Sequence, residues 1–127
     1  MGLVHYMAKE VFKEIGNKSR EFFEFVLPPI DIMLDNDNLI VTVDLPGFDK
    51  KDINLRINGN ILSINAKREM KPDGTIVWHQ RPCEIDKKIR LPIDVKEGEE
   101  AVGSAKYLNG VLTLKIPIKN GKDIKIE

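Results

Sequence analysis

From Ile30 onward the apolar residues alternate with polar ones, and this period of two is the feature that most constrains the fold. Alternation of this kind predicts β-strands with one buried face. The alternating runs cover residues 39–45, 53–57, 62–66, 85–91 and 111–116. Asn58-Gly59 and Asn109-Gly110 are strong hairpin signals between such runs. The pattern therefore predicts about seven or eight short antiparallel strands with no helix among them, which is typical of an all-β sandwich.

The first 28 residues follow a different period. Between Leu3 and Val26 the apolar side chains recur at helical spacing, and Pro28 and Pro29 then stop the helix. We predict a helical arm over residues 1–28. Four of the five phenylalanines of the chain lie in this arm: Phe12, Phe22, Phe23 and Phe25. This apolar face either packs onto its own domain as a core helix or offers a surface to other copies and other proteins.

Composition argues against several functional classes. The chain has 127 residues, and Lys plus Arg equal Asp plus Glu at 20 each, so the net charge is zero. A nucleic-acid-binding protein normally carries a basic excess. The single cysteine permits no internal disulfide, and no apolar stretch reaches the length of a membrane span. We therefore expect a cytoplasmic protein that neither binds nucleic acid nor spans a membrane.

Reactive side chains are scarce. His79 and Cys83 pair a histidine with the one thiol. They supply two metal ligands where structural zinc takes four, or a nucleophile and a base with no identified orienting group. The chain contains no glycine-rich phosphate-binding motif and no His-Glu-x-x-His. We expect no catalytic residue, no metal site and no cofactor, and a small hydrolase that uses these two residues is an alternative hypothesis.

The C-terminal tail, residues 119–127, carries an apolar pair where a chain end is usually polar. Ile124 and Ile126 are two positions apart, so on an extended tail both side chains project to the same side. Such a pair fits a slot at the edge of a sheet, and burying both contributes about 3–6 kcal/mol before ordering costs are subtracted. We predict that this pair docks on another surface.

Four stretches of the sequence stand in a characteristic order. Leu45-Pro46-Gly47-Phe48 resembles a D-L-P-G-F turn, and residues 85–92 resemble an F-x-R-x-F-x-L-P strand with isoleucine at both aromatic positions and Lys87 at the arginine position. Residues 105–112 resemble an A-x-x-x-n-G-V-L signature, and residues 124–126 match an I-x-I/V motif. Together these motifs resemble those of the small heat-shock proteins, the α-crystallin family, of the prokaryotic and archaeal type.

The resemblance implies an immunoglobulin-like antiparallel β-sandwich, the α-crystallin domain, over residues 29–118. It also implies dimers formed by strand exchange, and homo-oligomers built from these dimers. In the dimer, a segment of each chain would pair with the partner's sheet: Ile76, Val77 and Trp78. In the oligomer, the tail of one subunit would dock in a groove on another, lined by Leu55, Ile57, Val102 and Ser104.

The function that the resemblance implies is that of an ATP-independent holdase chaperone. Such a protein is not an enzyme, and its partners are non-native client proteins that it binds through exposed apolar surface and keeps from aggregating. The alternative is a β-sandwich adaptor or co-chaperone module that binds one specific partner. The tail distinguishes the two hypotheses, because an adaptor has no need of a motif that docks on its own copies.

Overall fold

The computed structural model describes residues 20–22, 26–95 and 103–119, together with Lys18, Glu24 and Ile126. Within this part of the chain seven β-strands form two antiparallel sheets. The strands are β1 (Ile30–Asp35), β2 (Asn38–Asp44), β3 (Ile53–Asn58), β4 (Ile61–Lys67), β5 (Glu84–Arg90), β6 (Ser104–Leu108) and β7 (Val111–Pro117). One sheet has the order β1-β2-β7-β6 and the other β3-β4-β5. The predicted antiparallel β-sandwich is confirmed.

Hairpins join β1 to β2, β3 to β4 and β6 to β7. Both hairpins that the Asn-Gly pairs predicted are present. In the β6–β7 turn Asn109 has φ 52° and Gly110 has φ 78°, the left-handed conformation that a type I′ turn requires of both central residues. In the β3–β4 turn Asn58 pairs with Ile61, so that Gly59, with φ 61°, occupies the first central position.

The core is formed by the alternate positions of the strands, as the period of two predicted. Burying one Val, Leu or Ile side chain contributes about 1.5–3 kcal/mol, so these positions supply the main attraction between the sheets. Every second residue of β2 and β4 is buried: Leu39, Val41, Val43, Leu62, Ile64 and Ala66. Ile85 of β5 is buried, and Ile89 packs against the same cluster. Of the two isoleucines at the motif's aromatic positions, Ile85 is therefore a core residue and Ile89 lies at the margin of the core.

The loop between β4 and β5 carries the segment expected to exchange between subunits. Ile76, Val77 and Trp78 belong to no strand of the described chain. The sequence predicted seven or eight strands, and the described residues form seven because this segment is a loop. Lys67, the last residue of β4, pairs with Glu84, the first residue of β5. The loop therefore begins and ends at the same end of this strand pair.

The arm is described in part. Lys18, residues 20–22, Glu24 and Val26 are helical, whereas Phe12, Phe23 and Phe25 lie outside the described residues. The base of the arm is attached to the sandwich, since Leu27 packs against the core and Pro28 is buried. The division into residues 1–28, 29–118 and 119–127 stays a prediction. Among the described residues, no helix combines the length and the hydropathy needed to cross a bilayer.

Candidate functional site

The outer edge of β1 is a candidate interaction surface that the alternation pattern did not single out. β1 stands at the end of the four-stranded sheet, and among the described residues it pairs only with β2. Three consecutive apolar side chains are exposed on it: Ile32 by 37%, Met33 by 59% and Leu34 by 54%. An unprotected edge strand presents free backbone N–H and C=O groups to which another strand can pair. The sequence does contain a signal for this surface, which is the run of three consecutive apolar residues from Ile32 to Leu34. Consecutive apolar residues place apolar groups on both faces of a strand, so one of them faces away from the core.

The β4–β5 loop provides a second exposed apolar surface. Ile76 is half-buried, whereas Val77 is 54% and Trp78 47% exposed. The indole N–H of Trp78 donates to the side-chain oxygen of Gln80 at 3.2 Å, so the polar end of the ring is satisfied within the loop while the ring itself stays exposed. Large amphipathic rings of this kind are frequent anchors at protein interfaces.

The predicted tail-accepting groove falls on two edge strands of different sheets. β3 is an edge of the three-stranded sheet and β6 an edge of the four-stranded one. Leu55 and Ile57 point inward from β3 and pack against the core, and Tyr107 of β6 packs against the same core from the other sheet. Ser104 is exposed at the start of β6, and Val102 lies outside the described residues. The inner sides of β3 and β6 therefore border one apolar region.

The tail pair is described only at its second member. Ile126 is 98% exposed, and Ile124 lies outside the described residues. Where the tail leaves the sandwich, Ile118 bridges to Val95 and the N–H of Lys119 donates to the carbonyl oxygen of Asp94 at 2.9 Å. An isoleucine with almost its whole surface in water gains free energy from any apolar site that covers it.

The arm and the β4–β5 loop meet at a polar cluster of four residues, Arg20, Glu24, His79 and Cys83, which we call the arm latch. Nη1 of Arg20 lies 3.3 Å from Nδ1 of His79, and Nε2 of His79 lies 3.5 Å from Sγ of Cys83. Oε1 of Glu24 accepts from the backbone N–H of Cys83 at 3.4 Å and lies 3.8 Å from Nε of Arg20. The structure thus brings together the His–Cys pair of the hydrolase hypothesis.

The chemistry of the arm latch does not suit a catalytic dyad. A guanidinium group only donates hydrogen bonds, so Nδ1 of His79 must accept from Arg20 and the imidazole proton sits on Nε2. In this tautomer Nε2 cannot take a proton from the thiol of Cys83, as a catalytic base would have to do. Within the described parts of the chain, no three His, Cys, Asp or Glu side chains are grouped so that they could hold a metal ion.

Comparison with known proteins connects this architecture to one family. A family model described as Hsp20/alpha crystallin family matches residues 31–127. The crystal structure of a point mutant of hsp14.1 from Sulfolobus solfatataricus P2 is 43% identical, with a TM-score of 0.77 over 94% of this chain and 97% of that chain. A probable 15 kDa heat shock protein of Leptospira interrogans is 31% identical over 110 residues, which are 85% of this chain and 82% of that protein. Small heat shock protein hspG12 of Dictyostelium discoideum is 31% identical over 89 residues, and the match spans 40% of its length.

Proposed function

This chain belongs to the Hsp20/alpha crystallin family of small heat-shock proteins, in the type found in archaea and bacteria, and from that premise we propose that it is an ATP-independent holdase. Members of the family are chaperones rather than enzymes. In the proposed mechanism the protein binds unfolding client proteins through apolar surface and keeps them from aggregating. The cytoplasmic location expected from the composition is part of the same proposal.

The observation that carries the proposal is the amount of apolar side chain that a folded sandwich leaves in water. Exposed apolar residues that stand together, such as Ile32 to Leu34 on β1 and Val77 with Trp78 in the loop, often mark surfaces that serve assembly or the binding of other proteins. Here they are distributed over the arm, the β1 edge, the β4–β5 loop, β6 and the tail. The most exposed members are Phe22, Met33, Leu34, Val77, Leu108 and Ile126.

We propose that dimers form when residues 76–78 of one subunit pair with β1 of its partner. The support is the complementarity of the two elements: β1 has an open edge and exposed apolar residues, and the loop carries an apolar segment that belongs to no strand of its own chain. Strand addition at an open edge gains backbone hydrogen bonds along the whole pair. Trp78 would add a large apolar anchor to this interface.

Larger oligomers would form when the tail of one subunit docks between β3 and β6 of another. Ile124 and Ile126 would fill the apolar region at Leu55 and Ile57, to which Val102 is proposed to contribute, with Ser104 beside it. Burial of two isoleucines contributes about 3–6 kcal/mol before ordering costs, which gives a weak and reversible contact. Many such contacts in one assembly act together and hold it firmly, while each can still open.

Clients would bind to apolar surface that the assembly exposes, and the phenylalanine-rich arm is the proposed main contributor. Phe22 is 61% exposed. Phe12, Phe23 and Phe25 belong to the same proposed surface. A non-native protein offers apolar segments without a fixed shape, so a set of aromatic side chains suits it better than a shaped pocket.

The decisive experiment is a light-scattering assay of the heat aggregation of an unrelated, heat-labile protein, without ATP. We expect the full-length chain at an equal subunit concentration to suppress the scattering, and an equal amount of an inert globular protein to leave it unchanged. Scattering that the chain does not alter would overturn the holdase proposal. A monomer in size-exclusion chromatography, together with unaltered scattering, would favour the adaptor that binds one partner.

A further inference from the structure

The arm latch connects the two segments to which the proposed function gives different tasks. Arg20 and Glu24 belong to the arm, which would bind clients. His79 and Cys83 lie within five residues after Trp78, which would anchor the dimer. The members of each pair across the latch are 59 positions apart in the chain. A change in these few contacts therefore acts on both segments at once.

The contact between Arg20 and His79 exists only while the imidazole is neutral. Nη1 of Arg20 is a donor, and Nδ1 of His79 must supply a lone pair to it. A second proton on the ring would place an N–H at Nδ1, pointing at another N–H at 3.3 Å, and would set two positive charges against each other. The hydrogen bond would be lost and replaced by repulsion.

The charged groups around His79 reinforce this effect. From the arm, Arg20 contacts the ring; from its own loop, Cys83 contacts Nε2, and Arg68 and Arg81 line a hollow together with His79. Glu24 is the one acidic group in this set, and it is engaged by the N–H of Cys83 and by Arg20. Protonation of His79 would thus add a positive charge beside the guanidinium group of Arg20, in a hollow that two further arginines line.

Resting on the proposed function of the arm and the loop, we infer that the arm latch is a pH switch, in which protonation of His79 detaches the arm from the β4–β5 loop. Histidine is the side-chain type that most often serves as a pH sensor in proteins, because its protonation adds a charge and removes an acceptor at once. Detachment frees residues 18–26 to present their apolar side chains, and it loosens the segment that contains Trp78.

The test is amide hydrogen exchange of the full-length protein without client, at about pH 7.5 and about pH 5.5, corrected for the intrinsic rates. We expect exchange within residues 18–26 to be about tenfold faster at the lower pH, because the arm opens locally. His79→Asn is the informative variant, since its side-chain oxygen takes the place of Nδ1 as an acceptor but does not titrate. It should retain protection at both pH values. Arg20→Leu should lose protection at both.

The chain provides a matched control, because His5 is the only other histidine. His5→Asn should behave as the wild type does. Equal protection of the wild-type arm at both pH values would overturn the switch, and so would an equal loss in the wild type and in His79→Asn. These readouts involve no client, so a chain that fails to suppress aggregation but shows the pH-dependent opening would contradict the holdase proposal and leave the switch supported.

Discussion

The hydroxyl of Tyr107 lies within hydrogen-bond distance of two backbone carbonyl oxygens, 2.5 Å from that of Leu45 and 2.8 Å from that of Phe48, and its one proton serves either acceptor. Tyr107 is in β6, at the edge of one sheet, and Phe48 is in the segment that leads from β2 to the other sheet. One side chain therefore joins an edge strand to the connection between the sheets. The residues also belong to two of the motifs that resemble the family pattern, and this contact joins those motifs in the folded chain.

Removing this hydroxyl should destabilise the sandwich. Tyr107→Phe keeps the ring in place but removes the one hydroxyl that the carbonyl oxygens of Leu45 and Phe48 share as a donor, so we expect a loss of about 1–2 kcal/mol in the free energy of unfolding. Denaturant unfolding followed by circular dichroism measures this loss. Tyr6→Phe is the matched control, because Tyr6 is the only other tyrosine. Unfolding midpoints that coincide for the Tyr107 variant and the wild type would contradict the role assigned to the hydroxyl.

A methyl group at Gly110 should destabilise the fold through backbone strain and crowding. Gly110 has φ 78°, its carbonyl oxygen accepts from the N–H of Leu45 at 2.7 Å, and an added Cβ would lie 3.1 Å from Cα of Pro46. We expect Gly110→Ala to cost about 1–3 kcal/mol.

The control for this substitution is Gly74→Ala in the β4–β5 loop. A Cβ added at Gly74 meets no atom within 4 Å, and the residue has no positive φ. It should change stability by less than about 1 kcal/mol in either direction, since the reduced freedom of the unfolded chain favours the folded state slightly. Thermal unfolding measures the loss of stability in both variants. An equal loss at the two glycines would show that the contact with Pro46 is unimportant.

Loss of the tail motif should reduce the size of the assembly. The double variant Ile124→Ser and Ile126→Ser removes the apolar side chains proposed to fill the slot between β3 and β6, so we expect the oligomer mass to fall toward that of a dimer. Multi-angle light scattering measures the mass directly. Lys125→Ser is the control, because on an extended tail its side chain points away from the side that the two isoleucines share. A mass equal to that of the wild type would rule out tail docking.

A charge at Trp78 should weaken the dimer. Trp78 is 47% exposed in the single chain, so Trp78→Asp costs the monomer little, whereas burying an unpaired carboxylate in the exchange interface costs much more. We expect the dissociation constant of the dimer to rise at least about tenfold. The measurement uses sedimentation equilibrium in the tail-substituted background, in which the mass reports the dimer alone.

Leu108→Asp serves as the control for that experiment. Leu108 is 58% exposed on β6, at the edge of the sheet opposite to β1, and has no part in the proposed exchange. It should leave the dimer intact. If both substitutions dissociate the dimer equally, or if neither does, the assignment of the β4–β5 loop to the interface is wrong.

The sequence alone determined which residues face the core and where the chain turns. Alternation at period two is a local property, and it correctly predicted the buried residues of β2 and β4 and the hairpin at Asn109-Gly110. The motifs also predicted the family. The predictions of buried positions and of turns depend on residues within a few positions of one another, for which side-chain direction and turn conformation are set by the local backbone.

Only the tertiary structure decided which strands lie at the edges and which distant side chains meet. The sequence pattern does not tell that β1 is an end strand, whose outer edge has no partner strand among the described residues. The same limit applies to His79, whose spacing from Cys83 is visible in the sequence, whereas Arg20 is 59 positions away. Such contacts depend on the order of strands in the sheets and on the packing of the whole core, which bring distant segments together after each has formed its local structure.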